Sequence, residues 1–375
     1  MSDITLSTGI RQNLLSLQQT AANLTTTQEA LATGKAVNSA ADNPGAYFTS
    51  QNLTNDANSL SSLLDQIGQG LQTIDAATNG LQGITSLLQQ ALSTVQQAQS
   101  DPFTTAAATT GTVNLATGAP SAAAGNLLIS VGSTTATVAI TSGEALSAIE
   151  SAINSASTST LGGAVTASDN GSGDLVLSST STVFTVGNNA TATGLGLTTG
   201  LATGTSTTRS SLQTNYNTLL TQVNQLAADS GYNGVNLIGG NNLQINFNET
   251  ATSSLTIDGV NFNAAGLGLS SLSGSGAGSF FDGSQLSSLV TNINTAISNV
   301  QTQTETFGTN SSTISTRQTF TTAMVNTLQT GASNLVAADQ NQESANLLTE
   351  QTQQQLEISA LSIANQANQS VLKLF

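Results

Sequence analysis

The sequence predicts a mainly helical protein with added β structure. Long coiled-coil-like helical rods run in from both termini, and a small α+β domain is inserted between them. Three observations predict this. Apolar residues recur every seven positions over long stretches toward both ends, a period that keeps one stripe facing a partner helix. Residues 102–205 lose that period and carry short alternating runs rich in Thr, Gly and Ser. Only 7% of the 375 residues are charged, against about 25% in an ordinary soluble domain, so the helix surfaces are built from Thr, Ser, Asn and Gln.

The first helix is predicted from Ile10, Leu14, Leu17, Ala21, Leu24, Gln28 and Leu31, which alternate spacings of four and three. The second has the stronger repeat: Leu53, Leu60, Ile67, Ile74, Leu81, Leu88 and Val95 lie seven apart without a break, with Ala57, Leu64, Leu71 and Leu92 between them and Thr78 and Thr85 as weak points. Asn43-Pro44 supplies a cap and a first-turn proline at its start, and Asp101-Pro102 ends it. A third helix carries Leu212, Tyr216, Leu219, Val223 and Leu226 and breaks at Ser230-Gly231. A fourth follows the Gly/Ser stretch 273–279, with Leu286, Ile293, Val300, Phe307, Ile314, Thr321, Leu328 and Leu335 again seven apart and Leu289, Ala296 and Met324 on the same face. The pattern continues to the terminus through Ala345, Leu348, Leu356, Ile363, Ala367, Val371 and Leu374.

The insertion reads as a ββαββ module. Asn126–Val131 and Thr135–Ile140 form a hairpin around Gly132-Ser133, a helix spans 144–156, and strands follow at 164–167, 174–178 and 183–186. A second hairpin pairs 242–247 with 255–260, between two of the long helices. The resulting domain expectation is 1–36 with 338–375 for the terminal helices, 37–101, 206–272 and 280–337 for a helical rod with its hairpin, and 102–205 for the inserted domain.

Composition removes whole classes of function. Lys plus Arg total 5 and Asp plus Glu 20, a net charge of −15; no basic face can form to neutralise phosphates, so a nucleic-acid partner is excluded. Without Cys or His, thiol chemistry, imidazole or thiolate metal sites and Ser-His or Cys-His nucleophiles are unavailable. The expectation is no catalytic residue, no cofactor and no metal. No run of about 18 apolar residues exists for a membrane span, and the start lacks the basic and apolar regions of a secretory signal. Glu343, Glu350 and Glu357 fall seven apart and read as plain surface charge. Asp169–Asp174 offers oxygen atoms in a Gly-rich loop but lacks the spacing and terminal bidentate Glu of a calcium loop, and reads as a turn.

Apolar stripes on the two terminal helices offer fewer side chains than the ordering of some 30 residues demands. These segments are therefore expected to be mobile in isolation and ordered when several faces are covered by neighbours.

The layout and several motifs resemble bacterial flagellin. Leu31-Ala-Thr-Gly-Lys-Ala-Val-Asn-Ser-Ala-Ala-Asp-Asn43 is similar to the family's L-x-[ST]-G-x-x-[VI]-N-S-A-x-D-[DN] signature. The end of the chain, from Asp339 through Ala345-Asn-Leu-Leu-Thr-Glu-Gln-Thr352 to Ser370-Val-Leu-Lys-Leu-Phe375, resembles a flagellin C-terminus of the alphaproteobacterial kind. Residues 209–237, closing on Asp229-Ser-Gly-Tyr-Asn-Gly-Val-Asn-Leu237, are similar to the family's second inner helix and its turn, and 126–197 resemble a flagellin hook insertion motif. The resemblance implies a secreted, extracellular filament subunit for motility, a homopolymer whose paired terminal helices line an inner tube. It also implies passage through the flagellar export apparatus and dealings with an export chaperone, cap and junction proteins. On this reading Ile10, Leu14, Leu17, Leu24, Leu31, Leu348, Leu356, Ile363, Val371 and Leu374 serve filament-core assembly, and Gly34, Asn38 and Asp42 shape the bend between tubes. Leu53, Leu60, Ile67, Ile74, Leu81, Leu88, Val95, Leu286, Ile293, Val300, Phe307 and Leu328 form the rod seam. A hook–filament junction protein, or an adhesin or glycan-binding protein acting through 102–205, stands as the alternative.

One departure bears on partners. Family members detected by an innate immune receptor carry L-Q-R-V-R-E-L-A late in the first long helix, where this chain has Leu87-Leu-Gln-Gln-Ala-Leu-Ser-Thr94. Gln89, Ala91 and Leu92 cannot make the charge-assisted hydrogen bonds of two Arg and a Glu. Receptor signalling in a cell reporter assay is expected to be weak or nil; full-strength activation would contradict this.

Overall fold

The computed structural model describes residues 8–372 and is mainly helical with antiparallel β structure. Helices α1 (Thr8–Thr33), α2 (Pro44–Ser100), α5 (Thr207–Asp229), α6 (Gly283–Val336) and α7 (Gln340–Leu372) carry the periodic stretches. Between α2 and α5 lie strands β1 (Ala107–Asn114), β2 (Gly125–Val131), β3 (Thr134–Ile140), β4 (Thr166–Asp169), β5 (Asp174–Ser179), β6 (Phe184–Val186) and β7 (Gly200–Ala202), with helices α3 (Leu146–Thr160) and α4 (Ala190–Gly194). Strands β8 (Leu243–Asn246) and β9 (Ser254–Ile257) pair as a hairpin between α5 and α6.

Helix boundaries follow local chemistry. Asn43 accepts from the Ala46 N–H at 3.1 Å and so caps α2, with Pro44 in the first helical position. Ser206 caps α5 by accepting from Arg209 N at 3.1 Å. Thr and Ser ordinarily weaken helices, yet α6 is full of them. Their hydroxyls bond back to the carbonyl four residues earlier, as Thr295, Thr302 and Thr309 do, which satisfies the side chain without breaking the helix.

The chain divides into two compact units. One gathers residues 69–245 and 255–314. Here Ile67's successors on α2, namely Ile74, Leu81, Leu88 and Val95, are closed to solvent, as are Leu286, Ile293, Val300 and Phe307 of α6. The companion positions on α2 differ from expectation. Gly70, Ala77, Ile84, Ala91 and Ala98 are buried, while Leu64, Leu71, Thr78, Thr85 and Leu92 are only half-buried. Small residues take the line of closest approach, and the leucines flank it. A Cβ on Gly70 would meet Ile245, on Gly80 Ser230 and Ile238, and on Gly83 Leu226, so α5 and the segment after it lie directly on α2. On α5 the buried set is Leu212, Tyr216, Leu220, Val223 and Ala227, with Leu219 and Leu226 at its edge.

The same unit holds the inserted region, which is larger than a ββαββ module. Its strands form two antiparallel sheets, β1-β5-β4 and β3-β2-β6-β7. The hairpin β2–β3 turns at Gly132-Ser133 as expected, with Val131 opposite Thr134 and Gly132 at φ +58°. Strand β1 was not expected, because its alternating inward residues are the small Ala107, Thr109 and Gly111, which give no apolar signal. The core of Leu127, Ile129, Ile149, Leu175, Leu177 and Phe184 also takes in Phe281 from just before α6. Beside it, Arg209 is fully buried. Its Nε and Nη2 donate to the Asp101 carbonyl at 2.8 and 2.6 Å, and its guanidinium lies 4.6 Å from the centre of the Phe103 ring. Burial pulls the Arg209 pKa down, with the Asp101 charge opposing. This cation at the end of α2 complements the helix dipole and ties the roots of the insertion together.

The other unit gathers residues 8–68, 246–254 and 315–372. Its helical packing is shallower. Ile67 is fully buried but Leu53 and Leu60 are half-buried. Beyond Thr321 the buried face of α6 passes to Val325, Ala332 and Val336, leaving Leu328 half-buried and Leu335 exposed. A straight helix of 3.6 residues per turn drifts about 20° per heptad from a strict seven-residue repeat, and here nothing holds the repeat in phase. Ser50 donates to the Ala332 carbonyl at 2.9 Å, and Arg317 stacks 5.4 Å over Phe247 of the hairpin tip.

Two glycines on the long helices should respond oppositely to substitution. Gly80→Val must displace Ser230 and Ile238 and is expected to cost about 1–3 kcal/mol by overpacking. Gly308→Ala meets nothing and is expected to gain about 0.5–1 kcal/mol from helix propensity. Denaturant melts of the two variants check both signs.

Candidate assembly surface

Helices α1 and α7 pair antiparallel. Ser16 and Thr20 donate to Glu357 Oε1 at 2.8 and 3.1 Å, while the end of α1 meets the start of α7 through an antiparallel bridge between Lys35 and Ala337. The face of α1 turned inward comprises Ile10, Asn13, Leu17, Thr20, Ala21, Leu24, Thr27, Ala30 and Leu31. Its phase is shifted from the predicted stripe: Asn13 and Thr27 turn inward where Leu14 and Gln28 were expected, Thr20 joins a half-buried Ala21, and Leu14 is 39% exposed. A polar residue at three of these positions hides the stripe from a hydrophobicity count.

On α7 the reversal is fuller. The half-buried residues are Glu343, Leu347, Glu350, Gln354, Glu357, Leu361 and Ala364, again a heptad pair of positions. Leu348, Leu356 and Ile363 are 68%, 64% and 67% exposed, with Leu15 and Ile358 exposed too. The glutamates are therefore not plain surface charge. They lie along the seam with α1, and the Oε2 atoms of Glu350 and Glu357 are closed to solvent with no hydrogen-bond partner. Val371 stands in the last turn of α7, and Leu374 lies outside the described residues.

The bend between α1 and α2 is built from backbone. Gly34 follows the last residue of α1 at φ +71°, the left-handed closure that glycine accepts without strain. Ala338 N donates to the Gly34 carbonyl at 2.9 Å and Ala36 N to the Val336 carbonyl at 2.8 Å, so the two connectors are laced together. Asp42 Oδ2 accepts from the N–H groups of Ser39 at 2.8 Å and Asn38 at 2.9 Å and from the Ser39 hydroxyl. Asn38 Nδ2 in turn donates to the Lys35 carbonyl at 3.2 Å. The structure thus brings Gly34, Asn38 and Asp42 into one turn. Asp339 repeats the device at the start of α7, accepting from Asn341 N and Gln342 N.

None of this is a catalytic arrangement. Among the described residues no group of His, Cys, Asp and Glu could hold a metal, and no helix is long and apolar enough to cross a membrane. In the 169–174 loop Asp169 and Asn170 are occupied by backbone N–H groups of Gly171, Gly173, Ser172 and Asp174, which makes it a turn.

Hydrogen bonds from Ser39 N and then Asn38 N hold the Asp42 carboxyl below its usual value. A depressed carboxylate pKa supports the folded turn above the ordinary range and is lost as pH falls through the folded value. Amide protection of Asn38 and Ser39 is expected to fall on acidification below about pH 4, and that acid step is expected to vanish in Asp42→Asn. Hydrogen exchange measured from pH 3 to 6 checks it.

Both ends of the chain are similar to known proteins. Residues 8–117 match the bacterial flagellin N-terminal helical region and residues 290–375 the bacterial flagellin C-terminal helical region. Relatives include flagellin FljM of Caulobacter vibrioides, 33% identical over 44% of this chain and 59% of the relative. A flagellin of Brucella melitensis is 27% identical over 44% of this chain and 61% of its own length, and flagellin A of Rhizobium meliloti is 39% identical over 24% and 23%. The chain thus spans about three fifths of the first two relatives. With both helical regions matched in order, at the two ends that pair as α1 and α7, the chain belongs to the bacterial flagellin family, a family of structural subunits of the extracellular flagellar filament and not of enzymes.

Proposed function

We propose that this chain is a flagellar filament subunit that polymerises with copies of itself for motility, its terminal helices being completed by neighbouring subunits. The observation that carries this reading is the outward stripe of α7. Leu348, Leu356, Ile358 and Ile363 are exposed on a helix whose other face is already paired with α1. Exposed apolar residues in such a row are unusual on a solitary soluble protein and are ordinary at a homopolymer interface.

In this reading residues 1–36 and 338–375 build the filament core. Residues 37–101, 206–272 and 280–337 form the rod, and 102–205 project as the outer domain. Gly34, Asn38 and Asp42 set the angle between core and rod. The export apparatus, an export chaperone, and cap and junction proteins are the expected partners in secretion and growth. Weak immune-receptor signalling is consistent with the setting of the divergent stretch, since Ala91 is buried within α2's own seam and Gln89 is exposed without charge.

Leu356→Asp tests the reading where the monomer has least to lose, because its side chain touches solvent in the isolated chain. Covering a leucine is worth about 1.5–3 kcal/mol, so the subunit concentration needed for seeded growth is expected to rise by at least about tenfold while secreted monomer persists. Leu17→Asp and Leu24→Asp, on the α1 side of the pair, are expected to abolish filaments as well. Normal filaments from all three, seen by electron microscopy, would exclude the assignment.

A further inference from the structure

The α1–α7 seam is built differently from the one on α2. From Ile67 to Val95 the α2 seam positions seven apart are all apolar and closed, so this sequence is capable of an apolar seam. On α7 three consecutive heptads instead place Glu343, Glu350 and Glu357 against α1. Glu357 is partly satisfied by Ser16, Thr20 and a longer contact from Gln353. Glu350, one heptad earlier, comes level with the stretch of α1 from Asn23 to Thr27. Its Oε2, like that of Glu357, is shut from solvent without a donor. Among the described residues of the two helices and their connector, no ion pair to either carboxylate is seen. Arg11 and Glu29, the charged residues of α1, both point to solvent, and Lys35 lies beyond the helix end.

We infer that Glu350 and Glu357 set the α1–α7 pair at low intrinsic stability, making it a latch that stays separable in the monomer and closes when a neighbouring copy lies against α7. Carboxylate oxygens deprived of water and of donors oppose the pairing. A polar residue at a seam position costs stability while fixing register, and Ser16 and Thr20 on Glu357 supply that register. The apolar stripe on the opposite face of α7 provides the compensating burial, available only within an assembly. The same residues thus keep the ends loose before docking and aligned after it. This inference rests on the assembly reading above.

The test compares full-length wild-type chain with Glu350→Leu/Glu357→Leu and Glu350→Gln/Glu357→Gln by amide exchange in dilute monomer and by seeded elongation. Residues 343–364 of the wild type are expected to exchange almost freely. In the leucine pair exchange slows tenfold or more and elongation slows with it, since the ends are already closed. The glutamine pair, which keeps acceptors for Ser16 and Thr20 but removes both charges, is expected to show an intermediate slowing of about threefold or more. If the wild-type ends are loose and neither variant slows exchange, the latch is overturned and the assembly reading stands. If the wild-type ends are already strongly protected in dilute solution, the assembly reading falls and the latch with it.

Discussion

A helix in water needs one covered face; α7 has two faces that each demand a partner. One is turned to α1 and carries glutamates and a glutamine among Leu347, Leu361 and Ala364, while the other carries leucine and isoleucine and meets solvent. That inversion is the constraint on which the rest depends. A helix pair normally hides its apolar side chains and presents charge. Here the pairing also leaves Leu348, Leu356 and Ile363 outside, and in the assembly reading a neighbouring copy supplies the apolar surface that covers them. The turn that delivers α1 and α7 to each other is accordingly made of directional backbone bonds, with Gly34, Asn38, Asp42 and Asp339 fixing the path. Its geometry does not rely on the weak seam.

Elsewhere the chain solves the opposite problem, how to pack long helices tightly with almost no ion pairs. Gly70, Ala77, Ala91 and Ala98 reduce the width of α2 where neighbours approach, and the leucines beside them close the flanks. Threonine hydroxyls turned onto preceding carbonyls leave the helix surfaces polar but uncharged. A surface of this kind can be covered by another copy without the desolvation cost of stranded ions. Arg209, a buried charge, is enclosed by carbonyls and an aromatic ring.

How much of this could be read in the sequence depends on what each element is made of. The long helices were legible because Ile67 to Val95 and Leu286 to Phe307 repeat a large apolar residue every seven positions, and their ends were legible from Asn43-Pro44 and Ser230-Gly231. The companion seam was not, since glycine and alanine at the closest approach carry little hydrophobic signal and the eye goes to the leucines at their side. Strand β1 was hidden for the same reason. The bend was legible from its Gly, Asn and Asp. The glutamates were misjudged because a charge every seven residues looks like a solvated face, and only the antiparallel placement of α1 reveals which face it is. Phe281 and Arg209 had no local signal, as their partners lie far away along the chain.

The two matched regions contain the terminal helices, the bend, all of α2, most of α6 and the first strand of the insertion, whereas the remainder of the insertion closes a core of its own from Leu127, Ile149, Leu177 and Phe184. That division follows from what each part must fit. The insertion satisfies its strands and its apolar residues within itself, so its sequence is free to change so long as the fold's interior is filled and Arg209 and Phe281 hold its roots. The ends must fit each other and, in the assembly reading, every neighbouring copy at once. A substitution there is felt twice, on the face turned to α1 and on the face turned outward, and the outward cost recurs at every subunit of a polymer. Residues that look unremarkable in one chain, such as Leu348 or Ile363, then carry constraints that only many chains together can impose.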